Sequence, residues 1–293
     1  MHSKSLTRFL LLFAAVLVGS VLLAAPVQAA KKKTITPTLY IHGFKGSAAS
    51  MNSMIVIAQD DAKAGTKIAT ATVDASGNVA WTETAGVNIK KVKHPIIQVV
   101  LTENTMPVDT QAQWIQNVLV SMKKKYHYTT YNAVCHSAGC VATVENAMKN
   151  GRKKATPKLK KLVTIAGPFD GVLGMGDTAN TTKLDKNGKP SVVVESADYP
   201  SYTELESLRK GFPKGVKVLN LYGNLNDGTN SDGQVTNASA LSLKYLLRGE
   251  TKSYQVKEFT GANAYHTKLH ENAAVDKAVI KFIWHKNLNY KGQ

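Results

Sequence analysis

The sequence predicts an α/β fold in which a mainly parallel sheet is covered by helices on both faces. Short apolar runs typical of buried strands alternate along the chain with longer segments whose apolar residues recur at helical spacing. Strands that alternate with helices in this way are joined by right-handed crossovers and lie parallel. In such sheets, catalytic residues collect at the carboxyl ends of the strands, and the informative residues of this chain fall there.

In the first part of the chain we predict buried strands over residues 39–41 and 96–101 and a helix over residues 50–64. Residues 67–84 contain two alternating segments around the Ser76-Gly77-Asn78 turn, a pattern that predicts a β-hairpin insertion. The helix after the second buried strand has an apolar face built from Ile115, Val118, Leu119 and Met122.

In the second part, residues 168–200 interrupt the alternation, because they are rich in Gly, Asp, Asn and Lys. We interpret this segment as a short cap or lid loop. Around it the pattern predicts strands over residues 131–135, 162–166, 216–222 and 254–259, and helices over residues 137–148, 202–210 and 237–247, with a last helix that carries Val275, Val279, Phe282 and Ile283 on one face.

The N-terminus has the features of a secretory signal peptide. Lys4 and Arg8 precede an apolar run over residues 9–25, and Val27-Gln28-Ala29 offers a small-residue cleavage site. We therefore predict a signal peptide over residues 1–29, one α/β domain over residues 30–293, and a secreted or cell-surface protein. An uncleaved membrane anchor is the alternative, because the apolar run is at the short edge of a membrane span.

The chain is strongly basic, with 37 Lys and Arg against 20 Asp and Glu and a formal net charge of +17. Its lysine clusters lack a nucleic-acid motif and interleaved aromatic residues, so no nucleic-acid partner is predicted. For an exported protein, an anionic cell-envelope polymer or membrane surface is the simplest partner, and a solvated basic surface without a partner is the alternative. No cofactor motif is present in the sequence, and we predict neither a cofactor nor a metal.

The segment Cys135-His136-Ser137-Ala138-Gly139-Cys140 follows a predicted strand and opens a predicted helix. It resembles the nucleophile elbow of α/β-hydrolases, in which the serine takes a strained backbone conformation at the top of the sheet. The resemblance makes Ser137 the candidate nucleophile, whereas a serine that only caps the helix is the structural alternative. Cys135 and Cys140 are larger than the glycines usual at these positions, and they form either a disulfide or two buried thiols.

The segment His42-Gly43-Phe44-Lys45-Gly46 ends the first strand and looks like the HGxxG loop of lipases and esterases. In that loop the glycines let a backbone amide point at the developing oxyanion, and a second amide comes from the residue after the nucleophile. The resemblance assigns these two donors to Phe44 and Ala138. A turn without a catalytic role is the alternative.

The acid is expected after a late strand, in the loop over residues 224–233, which contains Asp227 and Asp232. We favour Asp232, because Ser231-Asp232-Gly233-Gln234-Val235 before a helix resembles the hydrolase pattern. Asp227 is the alternative, and an Asx turn or a calcium loop would be a non-catalytic use of the segment.

The histidine is expected between the last strand and the last helix, where His266 and His270 both lie. We favour His266, which is closer to the end of the strand, and expect His270 to cap or pack. A zinc site built from the two is the alternative, although the sequence lacks a His-Glu-x-x-His arrangement. The order Ser137, Asp232, His266 is the order of an α/β-hydrolase triad.

From about Thr38 to Trp284 the chain resembles the exported α/β-hydrolases of unknown function from Gram-positive bacteria. That resemblance implies the α/β-hydrolase fold and a triad in which His266 deprotonates Ser137 and Asp232 stabilises the imidazolium. The first functional hypothesis is an esterase or lipase-like carboxylic-ester hydrolase acting on a small-molecule or lipid ester. The alternatives are an acyltransferase that uses the same residues and a non-catalytic envelope-binding protein.

Overall fold

The computed structural model describes residues 34–195 and 202–287, which belong to a unit that begins at Thr34. The predicted signal peptide over residues 1–29 lies outside the described residues, as does the end of the predicted lid loop. Within the described ranges, no helix is long and apolar enough to cross a membrane.

The described residues form an eight-stranded sheet with the order β3-β2-β4-β1-β5-β6-β9-β10, and a separate two-stranded sheet of β7 and β8. Neighbouring strands of the large sheet are parallel except for β3, which pairs antiparallel with β2 at one edge. The strands are β1 (Thr38–Ile41), β2 (Thr66–Val73), β3 (Val79–Glu83), β4 (Pro95–Leu101), β5 (Thr130–His136), β6 (Lys158–Ile165), β7 (Val172–Leu173), β8 (Gly176–Asp177), β9 (Lys217–Asn224) and β10 (Ser253–Thr260).

Helices cover both faces of this sheet, as the alternation in the sequence predicts. The α-helices are α1 (Asn52–Val56), α2 (Val108–Tyr126), α3 (Ala138–Asn150), α4 (Tyr202–Leu208), α5 (Asn237–Leu241), α6 (Leu243–Leu246) and α7 (Ala273–Trp284). Short 3-10 segments lie at Ala48–Met51, Ile89–Lys91, Arg209–Gly211, Ala262–Ala264 and His266–Glu271, and a π-helical turn lies at Ile57–Asp61.

The core has two halves, one on each face of the sheet, because successive side chains of a strand point to opposite faces. On β1, Leu39 and Ile41 belong to one apolar cluster and Tyr40 to the other. The first cluster is completed by α2, α3, α4 and α6, and the second by α1 and α7. This burial on both faces explains why the central strands read as continuous apolar runs.

Three predicted elements are more complex in the structure than the sequence indicates. The predicted helix over residues 50–64 is divided into the 3-10 segment Ala48–Met51, α1 and the π-helical turn Ile57–Asp61. The predicted hairpin is formed by β2 and β3, which pair antiparallel, and it extends the main sheet because β2 also pairs in parallel with β4. The predicted helix over residues 237–247 is interrupted at Ser242, which separates α5 from α6. The Ser242 hydroxyl donates to the carbonyl of Ser239 at 2.7 Å, a local side-chain bond of the kind that bends helices.

Candidate active site

Ser137 lies in a sharp turn between β5 and α3, at the carboxyl edge of the sheet. Its backbone has φ 53° and ψ −131°, a conformation that costs energy for any residue with a β-carbon. The turn is held in place because the Ser137 amide donates to the carbonyl of Ile165 at 2.9 Å. The strained conformation predicted for a nucleophile elbow is therefore present at Ser137.

Two glycines let the surrounding backbone approach this turn. A β-carbon at Gly139 would lie 2.2 Å from the carbonyl oxygen of His42, and one at Gly43 would lie 2.7 Å from the Ser137 β-carbon. Both distances are far below ordinary contact, so neither position accepts a side chain without movement. The loop after β1 and the start of α3 consequently lie in direct contact.

Three polar side chains from distant parts of the chain meet above the strand ends. His266 Nε2 lies 2.9 Å from Ser137 Oγ, and His266 Nδ1 lies 2.8 Å from Asp232 Oδ2. Asp232 and His266 are almost fully buried, and Ser137 is 9% exposed. The structure thus brings the hydroxyl, the imidazole and the carboxylate into one hydrogen-bonded chain.

The loop after β9 holds the Asp232 carboxylate in a fixed orientation. Its Oδ1 accepts from the amides of Gln234 and Val235 at 2.9 and 2.7 Å, which leaves Oδ2 for His266. The backbone amide of His266 donates to the carbonyl of Asp232 at 2.9 Å, so the two loops are also joined through their main chains. Thr236 then caps α5 by accepting from the Ser239 amide.

Asp227, the alternative acid in the same loop, lies elsewhere. It is exposed, and its Oδ1 accepts from the amide and the hydroxyl of Thr229 at 3.0 and 2.6 Å. These bonds hold the pKa of the Asp227 carboxyl below its usual value. The geometry is that of an Asx turn, and the carboxylate that bonds to His266 is that of Asp232.

The two amides that sequence analysis assigned to an oxyanion site belong to Phe44 and Ala138. Ala138 is the first residue of α3, where backbone amides have no partner within the helix. The loop carrying Phe44 lies against this helix end, because a β-carbon on Gly43 would be 3.3 Å from the Ala138 amide nitrogen. The positive end of the α3 dipole favours negative charge at the same place.

Three further histidines, His42, His136 and His270, surround this site. The sequence predicted no role for His42 or His136. His136 Nε2 donates to the carbonyl of His266 at 3.1 Å, and the His136 ring packs against the rings of His266 and His270 with centroids 4.7 Å apart in both pairs. His42 Nε2 accepts from the Leu101 amide at 3.0 Å. His270 packs against the His136 ring, and packing is one of the two roles that the sequence predicts for it.

Burial keeps these three rings neutral. It holds the pKa of His136 well below the usual range, and the neighbouring His266 and His270 lower it further. Burial likewise lowers the pKa of His42 and His270. The position of His136 directly before the candidate nucleophile was the one sequence feature that could have singled it out.

A cleft of about 490 Å³ opens above Ser137. Its floor includes His266 and the neighbouring histidine rings, and its walls come from the loop after β1 and from the segment that was predicted to be a lid. The apolar side chains that line it are Phe44, Val172, Leu173, Met175 and Val235. The lid segment therefore contributes to the cleft through its first part, before residue 196.

Neither a metal cluster nor a disulfide is formed by the described residues. No group of three His, Cys, Asp or Glu side chains there is arranged to hold a metal ion. Both ring nitrogens of His266 are in hydrogen bonds, Nε2 with Ser137 and Nδ1 with Asp232. Cys135 and Cys140 are buried free thiols, and burial raises the pKa of the Cys140 thiol well above its usual value.

Solved structures of two bacterial proteins resemble this chain. The product of gene lin2722 from Listeria innocua is 24% identical with a TM-score of 0.72, and the alignment covers 88% of this chain and 96% of that one. A protein from Lactobacillus plantarum WCFS1, provisionally described as a cell surface hydrolase, is 21% identical with a TM-score of 0.65, over 86% of this chain and 91% of that one. No protein of curated function is detectably similar in sequence.

A family model for α/β-hydrolases of unknown function, DUF915, matches residues 25–286 of this chain. The match and the two structural likenesses confirm the α/β-hydrolase fold and the family resemblance that the sequence predicts. The chain belongs to the DUF915 family of α/β-hydrolases of unknown function.

Proposed function

We propose that this protein is a serine hydrolase that cleaves carboxylic esters through an acyl-enzyme. The observation that carries the proposal is the hydrogen-bonded chain from Ser137 Oγ through His266 to Asp232, with contacts of 2.9 and 2.8 Å, at the floor of an open cleft. A serine hydroxyl is a weak nucleophile by itself and needs an adjacent base that a third group orients. The α/β-hydrolase fold supplies this arrangement at the carboxyl edge of its sheet.

In the first half-reaction, His266 Nε2 takes the proton of Ser137 as Oγ attacks the ester carbonyl. The imidazolium that forms is stabilised by the buried Asp232 carboxylate on its Nδ1 side, and the carboxylate itself stays unprotonated. The carbonyl oxygen becomes an oxyanion, for which the Phe44 and Ala138 amides are the proposed donors. Collapse of this intermediate passes the proton from His266 to the leaving alcohol and leaves the acyl group on Ser137.

In the second half-reaction, water takes the place of the alcohol. His266 Nε2 removes a proton from the water as its oxygen attacks the acyl carbonyl, and the same two amides hold the second oxyanion. Breakdown of this intermediate returns the proton to Ser137 Oγ and releases the carboxylic acid. The neutral rings of His42, His136 and His270 add no competing positive charge during either step.

The proposal is tested with a series of p-nitrophenyl esters of graded chain length, using the protein from residue 30 onwards and its Ser137→Ala variant. We expect turnover by the wild type, because the cleft of about 490 Å³ above Ser137 is large enough to admit these esters. We expect the variant to fall to the background rate. Equal rates for both proteins, or no turnover of any ester, would contradict an esterase function.

We also propose that the protein is exported and acts at the cell envelope. The charged start, apolar run and small-residue cleavage site within residues 1–29 support export, and the net charge of +17 supports attraction to an anionic polymer or membrane surface. N-terminal sequencing of the protein recovered from the medium and cell-wall fractions tests this. A chain that begins at residue 30 is expected, whereas an intact Met1 in the cytoplasm would contradict export.

A further inference from the structure

We infer that the active-site cleft selects esters whose alcohol part carries an anionic group, and that Lys45 binds this group. The inference rests on the proposed esterase function and goes beyond it, because it names the charge of the substrate. It begins from the composition of the cleft wall, where Lys45 stands at the rim beside Phe44.

The side chains that line the described part of the cleft include a positive charge and no carboxylate. Among the described residues that line it, Lys45 is the only lysine or arginine, and none is Asp or Glu. Lys45 forms no ion pair within the part of the chain that the structure describes, and this includes Glu103 in the adjacent loop. An ammonium group without a counter-charge at the mouth of a cleft favours an anion as its partner.

The backbone of Lys45 has a conformation that would cost less energy for a glycine. Lys45 has φ 54°, in the left-handed region that disfavours residues with a β-carbon. The loop is fixed around it, because the Lys45 amide donates to the Asn104 carbonyl at 3.3 Å and the Gly46 amide donates to the Gly43 carbonyl at 3.0 Å. The Lys45 side chain is therefore presented from a loop whose backbone is fixed on both sides of it.

The Lys45 side chain is directed over its neighbour on the rim. Its Nζ lies 5.5 Å from the centre of the Phe44 ring, whose side chain is 38% exposed. A cation over an aromatic face is held without losing its charge. The ring thus provides an apolar platform for the part of the substrate next to the ester, and the ammonium stands beside this platform.

One part of the cleft wall is apolar and differs in character from the rim with Lys45, whereas Ser50, Gln234 and Thr267 add polar groups elsewhere in the lining. Val172, Leu173, Met175 and Val235 line the cleft without a charged neighbour among its described lining residues. We assign the acyl chain to this wall and the alcohol part to the rim with Lys45. The substrate class is therefore an ester of an apolar acyl chain with an alcohol that carries an anionic group, and a phosphate ester represents this class in the test.

The test compares three butyryl esters that differ in the charge of the alcohol: butyrylglycerol 3-phosphate, butyrylglycerol and butyrylcholine. The rates are measured for the wild type and for Lys45→Met, Lys45→Arg and Lys45→Glu, and Lys124→Met on the exposed surface of α2 is the matched control for the loss of one positive charge. The quantity of interest is kcat/KM for the charged ester divided by kcat/KM for the neutral one, since this ratio cancels general effects on activity.

We expect the phosphate ester to be preferred by the wild type and the preference to weaken with added salt. The ratio is expected to fall roughly 5-fold in Lys45→Met and roughly 20-fold in Lys45→Glu, to be kept in Lys45→Arg, and to rise for butyrylcholine in Lys45→Glu. Ratios that stay within about twofold in all Lys45 variants, or an equal fall in Lys124→Met, would overturn the assignment.

A binding measurement separates this inference from the esterase proposal. In a Ser137→Ala background, the phosphate ester is expected to bind more tightly than butyrylglycerol, and Lys45→Met is expected to remove the difference. Such discrimination without hydrolysis by the wild type would refute the esterase function and support the anion site. Hydrolysis of all three esters without discrimination in either assay would support the esterase function and refute the anion site.

Discussion

The Nε2 atom of His136 donates a hydrogen bond of 3.1 Å to the backbone carbonyl of His266, and the two imidazole rings pack at a centroid distance of 4.7 Å. His136 is the last residue of β5 and directly precedes Ser137. One side chain therefore joins the strand that carries the candidate nucleophile to the loop that carries the candidate base. This contact ties the main chain of His266 to the residue that precedes Ser137.

We expect His136→Phe to lower kcat by about 10- to 100-fold, because the ring still fills the space but no longer holds the His266 main chain. The effect is expected in kcat rather than KM, since His136 orients the base and the substrate contacts persist. His136→Gln keeps a donor and is expected to recover part of the loss. Steady-state kinetics at several pH values measure this, and a parallel loss of melting temperature and activity in both variants would indicate a structural role only.

Asp232 and Asp227 give a matched pair for the role of the acid. We expect Asp232→Asn to reduce kcat by roughly 10⁴-fold, since the amide no longer stabilises the imidazolium. Asp227→Asn is expected to keep the wild-type rate, because that carboxylate only accepts from Thr229 in an exposed turn. Rates on a p-nitrophenyl ester decide between them, and the opposite ranking would transfer the acid role to Asp227.

Gly139 is the glycine whose replacement the elbow tolerates least. A β-carbon there would meet the His42 carbonyl oxygen at 2.2 Å, so Gly139→Ala forces the loop after β1 away from α3. We expect a loss of about 1–3 kcal/mol in the free energy of unfolding together with a loss of activity. Urea denaturation measures the first and ester turnover the second. An alanine variant with wild-type stability would show that the two segments are not in contact.

Asp276 on α7 is expected to make stability depend on pH. Its two carboxylate oxygens are buried without a hydrogen-bond partner among the described residues, and burial together with Asp61 raises its pKa from 3.8 to about 7. A raised carboxyl pKa means that the folded state binds the proton more tightly than the unfolded state. The wild type therefore loses stability as the pH rises from about 4 to 7, by roughly 4 kcal/mol at most.

The variant Asp276→Asn carries no titrating group at this position, so its stability relative to the wild type is expected to increase between pH 4 and pH 8. Denaturation with urea at these two values checks the sign, with the exposed Asp60→Asn as the control. A relative stability that does not change with pH would refute the buried, protonated state of Asp276.

The state of the two cysteines can be tested by thiol labelling. Cys135 and Cys140 are buried free thiols, so a thiol reagent should leave the native protein unlabelled. After unfolding without a reductant, both thiols should react. No reaction of the unfolded, unreduced protein would establish the disulfide alternative.

The sequence was most informative where local pattern and tertiary environment agree. Buried parallel strands such as β4 read as apolar runs because they are covered on both faces, and the glycines around Ser137 mark the close approach of backbones. The chain order of Ser137, Asp232 and His266 follows from the fold once the strands are assigned, and the structure brings these side chains together.

Other features depend on contacts between distant residues and have no local pattern. The parallel pairing of β2 with β4 joins two segments that are separated in the sequence. The local pattern therefore indicated the hairpin but not its place in the main sheet. The break at Ser242 depends on one side-chain bond to Ser239 within an otherwise helical pattern. The contact of His136 with His266 joins residues 130 positions apart, a separation at which one sequence gives no indication.

The most direct test of the account is labelling with a fluorophosphonate probe followed by peptide mass spectrometry. An activated serine at the floor of an open cleft predicts a single phosphonylated residue, Ser137, and labelling that disappears in Ser137→Ala and weakens strongly in Asp232→Asn. An unlabelled wild-type protein, or a label on another residue that persists in Ser137→Ala, would contradict the claim that Ser137, His266 and Asp232 act together as a catalytic unit.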